Sequence, residues 1–252
     1  MEWQFIDTGF HSGEFNMRFD IELAEQLSRS KAPQTLRVYG WRPWAVSLGY
    51  NQSEKDIDVL RCRKFGFDIV RRPTGGRAIL HANELTYSAV MYAGGRGITE
   101  VYSLISKALV NGLQTICPKV SYEASQPNFR QLYRQQESIP CFSSSARYEV
   151  QIDGKKLVGS AQRRFSKPGG DEVVLQHGSI LLGTEHKLLT EVLNIDGDEI
   201  RKKLNEDFDT KTIDLSSASG RAVQYDEVVD CIKSGFESTM KVNFLTVSET
   251  LV

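Results

Sequence analysis

Short β-like runs gathered into two clusters, with long amphipathic helices before and between them, constrain this 252-residue chain more than any other feature. Phe15, Phe19, Leu23 and Leu27 recur every four residues and predict a helix over 14–30 with one apolar stripe. The first cluster follows it, with strands expected at 36–41, 45–50, 68–70, 77–80 and 85–91. Arg42-Pro43 and His81-Ala82-Asn83 read as turns, and 56–65 as a short helix. Val101, Leu104, Ile105, Ala108 and Leu113 predict a second long helix over 100–115. Residues 125–145 are rich in Gln and Ser without a clean period, which marks a long irregular loop. The second cluster runs 147–152, 156–163 and 173–182, its first two strands joined by the hairpin signal Asp153-Gly154. The tail, 185–252, reads as mainly helical, with breaks at Gly183, Gly197 and 216–220. Strands that come in groups rather than in βαβ alternation favour an α+β fold with a mixed or antiparallel sheet over a Rossmann fold.

A chain of this length, 40% hydrophobic and 25% charged, can build an ample core as one large domain or two intimately packed ones. Its 31 basic and 32 acidic residues nearly cancel, so no overall attraction to nucleic acid or to a membrane is indicated. Any basic partner site is local. Arg61, Arg63, Lys64, Arg71, Arg72 and Arg77 form one basic group and Lys155, Lys156, Arg163 and Arg164 another; together they make either one positive face or a solvated rim. The start, Met1-Glu2-Trp3-Gln4-Phe5, lacks the features of a secretory leader, and no run approaches the roughly 18 apolar residues of a membrane span. The expected location is cytoplasmic. Cys62, Cys117, Cys141 and Cys231 lie far apart without metal-ligand spacing, so free thiols and no bound metal are expected.

The segment Arg71-Arg72-Pro73-Thr74-Gly75-Gly76-Arg77-Ala78-Ile79-Leu80-His81 sets a glycine pair among three arginines and a histidine. Side chains are absent at Gly75 and Gly76, so backbone amides there can approach a ligand; the other reading is a Gly-rich hairpin with solvated arginines. The Walker and dinucleotide fingerprints do not match. Cys141, in Ile139-Pro140-Cys141-Phe142-Ser143, stands in the irregular loop, whereas the other cysteines have apolar neighbours on or beside helices. It is the candidate nucleophile, or else a small packing residue. Lys156 follows 15 residues later, where the hairpin can bring an ammonium near the sulfur to stabilise a thiolate or polarise a carbonyl. Beyond it, Gly159-Ser160-Ala161 places three small residues in one strand, which suits either a narrow slot for an acyl chain or prosthetic group, or a bulge at a sheet edge.

Three segments in order, 71–81, Lys156-Leu157-Val158-Gly159-Ser160-Ala161-Gln162, and Gln176-His177-Gly178-Ser179-Ile180-Leu181-Leu182, resemble the motifs of the lipoate–protein ligase A family. Phe15-Asn16-Met17 with Asp20 is similar to that family's first helix, so the resemblance covers about residues 3–185. It implies the biotinyl/lipoyl protein ligase catalytic fold: α+β, with a mixed, largely antiparallel sheet flanked by helices. The whole chain, 1–252, is then one catalytic domain, with a motif-bearing core at about 3–185 and a helical extension at about 186–252.

Within that family, ATP-using ligases typically carry an Asn-Asp element before the lysine strand, where this chain has Ala146-Arg147-Tyr148-Glu149. Pro140-Cys141-Phe142 resembles instead the cysteine-dependent octanoyltransferase branch. The resemblance implies transfer of octanoate from acyl carrier protein through Cys141 to a lysine of a lipoyl-domain protein, such as glycine-cleavage H protein or an E2 subunit, without a cofactor. Lys156 would serve the carbonyl, and Arg72, Thr74, Gly75, Gly76, Gly159, Ser160 and Ala161 the substrate. His81 and His177 are open to two readings, as polar groups of the pocket or as hydrogen-bonded structural residues. The alternatives are an ATP-dependent lipoate–protein ligase and a catalytically silent member that binds lipoyl domains.

Overall fold

A computed structural model describes residues 1–29, 32–123, 149–166 and 170–245. The chain runs β1 (Glu2–His11), α1 (Gly13–Ser28), β2 (Thr35–Trp41), β3 (Ala45–Leu48), α2 (Val59–Phe65), β4 (Asp68–Arg71), β5 (Ile79–His81), β6 (Glu84–Tyr92) and α3 (Ile98–Leu113). It continues β7 (Val120–Glu123), β8 (Glu149–Ile152), β9 (Lys155–Phe165), β10 (Val173–Leu181), a 3₁₀ segment (Glu185–Val192), α4 (Asp198–Lys211), α5 (Leu215–Ser219), α6 (Tyr225–Met240) and β11 (Asn243–Leu245).

Among the described residues, eight strands form one sheet in the order β11-β1-β2-β6-β10-β9-β8-β7, and β4-β3-β5 form a smaller one. Only β11/β1, β1/β2 and β3/β4 pair in parallel; the remaining pairs are antiparallel, as expected for this α+β fold.

Period-two alternation explains the layering. On β10, Val174 and Ile180 join the cluster built with Val101, Ile105 and Leu109 of α3 and Val228, Ile232 and Phe236 of α6. The intervening Val173 and Leu175 pack under Leu23, Ala24 and Leu27 of α1, and Leu181 joins the core of the small sheet. Both faces of β10 are therefore covered, and all nine of its residues are buried. Helices α3 and α6 approach closely because a Cβ at Gly112 would lie 2.2 Å from the Cys231 carbonyl oxygen.

The two predicted long helices and both strand clusters are present; the differences lie in elements fixed by distant partners. β1 was not expected, since only Trp3 of its ten residues is fully buried and its ladders go to β2 and to β11, at the far end of the chain. β7 and β11 are short edge strands for the same reason. The tail includes β11 and a 3₁₀ segment as well as α-helices. Residues read as a break at 216–220 include most of α5, a single turn capped by the Asp214 side chain accepting from Ser217 N–H. Nor is there a bulge at Gly159–Ala161, which pair with β10 in unbroken register; the irregularity of β9 comes earlier. Val158 pairs with Val150 but Lys156 with Gln151, which leaves Leu157 as the extra residue. The expected loop at 125–145 lies outside the described residues.

Candidate active site

Between the main sheet and the cover that α1 and the small sheet provide, a slot crosses β9, β10, β6 and β2. Its floor is Gly159, Ser160 and Ala161 of β9, His177, Gly178 and Ser179 of β10, Thr86 of β6, and Tyr39 and Trp41 of β2. Met17 of α1, Arg72, and Ile79 and His81 of β5 roof it. Its free space is about 370 Å³ counted out to the mouth, yet the centre of a water molecule has only about 20 Å³. A slot this thin suits an unbranched chain better than a ring system. Gly178 allows β9 and β10 to approach closely beneath it, since a Cβ there would meet the Gly159 carbonyl at 2.7 Å.

Two buried carboxylates organise the polar groups around the slot. Asp20, on the inner face of α1, binds Arg37 Nη1 at 2.7 Å, and both side chains are fully buried. It also accepts from Tyr39 Oη at 3.0 Å and faces His177 Nδ1 at 3.1 Å. Burial alone would raise the Asp20 pKa, but Arg37 and the His177 bond override it and hold the carboxyl below the ordinary range. Burial pushes His177 down against the pull of Asp20. A neutral imidazole facing a carboxylate must carry its proton on Nδ1, so the bare Nε2 accepts from the Thr74 hydroxyl at 2.7 Å. Arg37 is further held by the Asn16 carbonyl and side-chain oxygens and lies over the Tyr39 ring.

The second carboxylate, Glu84, lies beneath the opposite wall. Its Oε1 faces His81 Nδ1 at 2.8 Å and accepts from Thr86 Oγ1 at 2.6 Å and Ser179 Oγ at 2.7 Å. His81 stacks on Trp41 with ring centroids 3.9 Å apart.

Of the residues expected at the site, Arg72, His81, Gly159, Ser160, Ala161 and His177 line this one slot. Arg72 is buried as a tether: it donates to the Ser47 carbonyl, to Gly75 O at 2.9 Å and to Arg77 O at 2.6 Å. Thr74 reaches the slot through His177, and with Gly75, Tyr50, Asn51, Pro73, Gln162 and Arg163 it borders an outer cavity. Gly76 has φ +97° and its carbonyl lies 2.0 Å from where a Cβ on Gly49 would be, so this turn is a tight backbone crossing. Lys156 is buried on β9, and the Leu157 bulge turns it to the face of Gln151, opposite the α3 face occupied by Val150 and Val158. That is the face that carries the slot. Ahead of Val158 the β10 side of β9 is taken by the 212–213 segment, with Ile213 N–H donating to Lys156 O at 3.0 Å. Cys141 lies outside the described residues.

The two basic groups meet where Arg163 donates to the Pro73 carbonyl at 3.3 Å and lies over the ring of Tyr50, whose carbonyl Arg71 holds, but several of their members are engaged within the protein. Arg71 holds the carbonyls of Gly49, Tyr50 and Gln52, Arg72 is buried, and Arg164 pairs with Glu172 at 2.6 Å. Arg61, Arg63 and Lys64 are exposed on α2.

Sequence reasoning missed Tyr39, Trp41, Ile79, Thr86, Ser179, Glu84 and Arg37. The available signal was polar residues inside strands: Arg37 between Leu36 and Val38, and Glu84 and Thr86 flanking Leu85.

The family model of the lipoyl protein ligase A/B catalytic domain matches residues 12–237. Octanoyltransferase LipM of Kyrpidia tusciae is 40% identical over 245 residues, covering 94% of this chain and 87% of that protein. The Bacillus subtilis octanoyltransferase LipM is 32% identical over 253 residues, covering 96% and 87%. Among solved structures, the bi-partite lipoate protein ligase of Thermoplasma acidophilum, studied with its E2 lipoyl domain, is similar at a TM-score of 0.74 and 24% identity, over 99% of this chain and 88% of that one. Lipoate-protein ligase A bound with ATP is similar at 0.70 and 23%, over 99% and 90%. At those identities the structures speak for the fold, while the family model and the near-full-length relatives speak for descent. With the slot built from the three motif segments, they establish that this chain belongs to the lipoyl protein ligase A/B catalytic-domain family.

Proposed function

We propose that the protein is an octanoyltransferase that moves octanoate from acyl carrier protein, through a thioester on Cys141, to a lysine of a lipoyl-domain protein such as glycine-cleavage H protein or an E2 subunit. The observation that carries this reading is the near-full-length likeness to octanoyltransferases. The thin slot, with room for an unbranched chain, supports it. The whole chain acts as one catalytic domain. Both carrier partners put the reaction in the cytoplasm; among the described residues no helix is long and apolar enough to cross a membrane.

The chemistry divides into two steps. In the first, the Cys141 thiolate attacks the carrier thioester and the carrier thiolate leaves, so one thioester replaces another at similar energy. In the second, the acceptor lysine attacks the acyl-enzyme, Cys141 leaves as thiolate, and the amine's protons pass to that thiolate and to solvent. An amide is more stable than a thioester, so this step runs downhill without nucleotide. Lys156 supplies a cation for the carbonyl oxygen as charge develops on it. Arg72, Thr74, Gly75 and Gly76 shape the wall and rim, Gly159, Ser160 and Ala161 let the chain lie against the sheet, and His81 and His177 are hydrogen-bonded wall residues. Of the other cysteines, Cys62 and Cys117 are buried, and burial pushes the Cys62 thiol up to about 11.

Intact-protein mass spectrometry after mixing with octanoyl carrier protein, followed by peptide mapping, tests this directly. The expected result is one octanoyl group on Cys141 and none on Cys62, Cys117 or Cys231. Label elsewhere, or transfer with no adduct, overturns the covalent route. Adenylate formation from ATP and lipoate would instead identify a ligase, and carrier binding without transfer a silent member.

A further inference from the structure

The slot is lined by many side chains that can hydrogen-bond, yet each one's bonding is directed away from a ligand. Tyr39 donates to Asp20, Trp41 Nε1 donates to Thr86 at 2.7 Å, Ser160 meets Tyr87 at 2.8 Å, and His177 spans Asp20 and Thr74. The remaining donors, His81 Nδ1, Thr86 and Ser179, converge on Oε1 of Glu84. Each hydroxyl has one proton to give, so Thr86 and Ser179 have none left for a ligand. With its Nδ1 proton on Glu84, His81 accepts at Nε2 from Ser47 at 2.7 Å, and the Ser47 oxygen takes an N–H from Arg72 at 3.0 Å.

Glu84 is 3% exposed and lies behind the slot wall rather than in it. Its other oxygen, Oε2, is buried without a hydrogen-bond partner, so the whole of its bonding in the described structure serves these three wall residues. A neutral acceptor could not gather three donors on one oxygen as strongly as an ionised carboxylate does.

We propose that Glu84 is a specificity-determining positioning residue, which turns the polar groups of the slot wall backward and so makes the slot select an acyl chain without hydroxyl substituents. This rests on the acyl-transfer reading given above. An alkyl tail gives up no hydrogen bond on entering such a slot. An acyl group of the same length with a hydroxyl along this stretch gives up its bonds to water and finds the protons of Tyr39, Thr86 and Ser179 already given to buried carboxylates. An apolar pocket rejects an added hydroxyl by about 100-fold at most, which bounds the effect.

The test uses Glu84→Leu, which removes the acceptor, and Glu84→Asp, which keeps the charge but draws the oxygen back by one methylene. Binding of octanoate, and of octanoates hydroxylated near the carboxyl, at mid-chain and at the tail, is followed by tryptophan fluorescence; kcat/KM is measured for the matching thioesters. The wild type is expected to prefer octanoate over at least one hydroxylated isomer by up to about 100-fold. Glu84→Leu is expected to narrow that ratio to within about tenfold and Glu84→Asp to narrow it partway. Adding Thr86→Val and Ser179→Ala to Glu84→Leu removes the freed hydroxyls and should restore the preference, which a merely structural role would not do. If Glu84→Leu does not fold, Glu84→Asp decides. Folded variants that keep the wild-type ratio overturn this inference alone, whereas a wild type that binds no octanoate overturns the acyl-slot reading and this inference with it.

Discussion

Replacing Trp41 with alanine should lengthen the acyl chain that the protein accepts. Trp41 lines the slot on one side and, on the other, an outer cavity of about 590 Å³ counted out to its mouth and bounded by Phe10, Arg42, Pro43, Trp44, Phe65, Gly66 and Phe67. It is therefore a partition between the two spaces. The slot begins over β9, the strand that carries Lys156, and crosses β10 and β6 to reach Trp41 on β2. Three strand spacings of about 4.8 Å give a run of about 14 Å, comparable with an extended eight-carbon acyl chain and its thioester.

Alanine at this position opens the partition. Each further methylene buried is worth about 0.8 kcal/mol, so two of them contribute about 1.6 kcal/mol. That is roughly a 15-fold rise in the preference for decanoyl over octanoyl thioester. Stability should fall by about 3–5 kcal/mol, because Trp41 is only 2% exposed and its loss leaves a cavity. Trp41→Phe is the control: it forfeits the indole bond to Thr86 but keeps a ring in the partition. The assay is kcat/KM for octanoyl, decanoyl and dodecanoyl thioesters, alongside thermal unfolding. A folded Trp41→Ala protein with the wild-type chain-length cutoff would refute the reasoning, and so would a Trp41→Phe protein that relaxes it equally.

Lys156→Ala should greatly slow both acylation and transfer with the fold intact, while Lys155→Ala, whose ammonium reaches the Asp209 carbonyl near the surface, should be tolerated; single-turnover rates for each half-reaction decide. Asp20→Ala should cost about 3–5 kcal/mol in chemical denaturation, because it leaves the fully buried Arg37 without its carboxylate. Burial lowers His186 to about 4, so the folded state resists a proton that the unfolded chain takes up near pH 6.5. Stability contributed by the neutral ring is thus present above about pH 6.5 and lost as pH falls toward 4, by about 3 kcal/mol in all, and His186→Gln should flatten that part of the denaturation-versus-pH curve. Reversing the charge of exposed Arg63 and Lys64 should raise KM for an acidic acyl carrier and weaken its salt dependence, with little change for a small octanoyl thioester.

The parts of the site that were legible in the sequence are those where local composition departs from what a strand or turn ordinarily needs. Three small residues in the middle of β9 have no packing reason to be there, and a glycine pair between arginines marks a turn with close backbone contact. Both proved to be at or beside the slot. What could not be read was the strand order: β2, β6 and the consecutive pair β9–β10 are adjacent in the sheet but come from widely separated parts of the chain, so Trp41 and Thr86 join Gly159 in one slot only after folding. The register of Lys156 was hidden for a related reason. Strict alternation would set it on the same face as Val158, and it is the extra residue at Leu157, a matter of ladder pairing with β8, that reverses it.

The buried acids show the deeper limit. Asp20 follows Arg18 and precedes Glu22 on a helix whose other face is solvated, and Glu84 begins a strand just after a turn, so each has the sequence context of a surface residue. What distinguishes them is the company each keeps from other elements: Arg37, Tyr39 and His177 around one, His81, Thr86 and Ser179 around the other. A polar wall can be made to behave as a hydrocarbon one only if acceptors stand behind it, and an acceptor that serves three donors must be reached from at least two strands. The chemical character of the slot therefore belongs to the assembled sheet, and a residue outside the slot can set it.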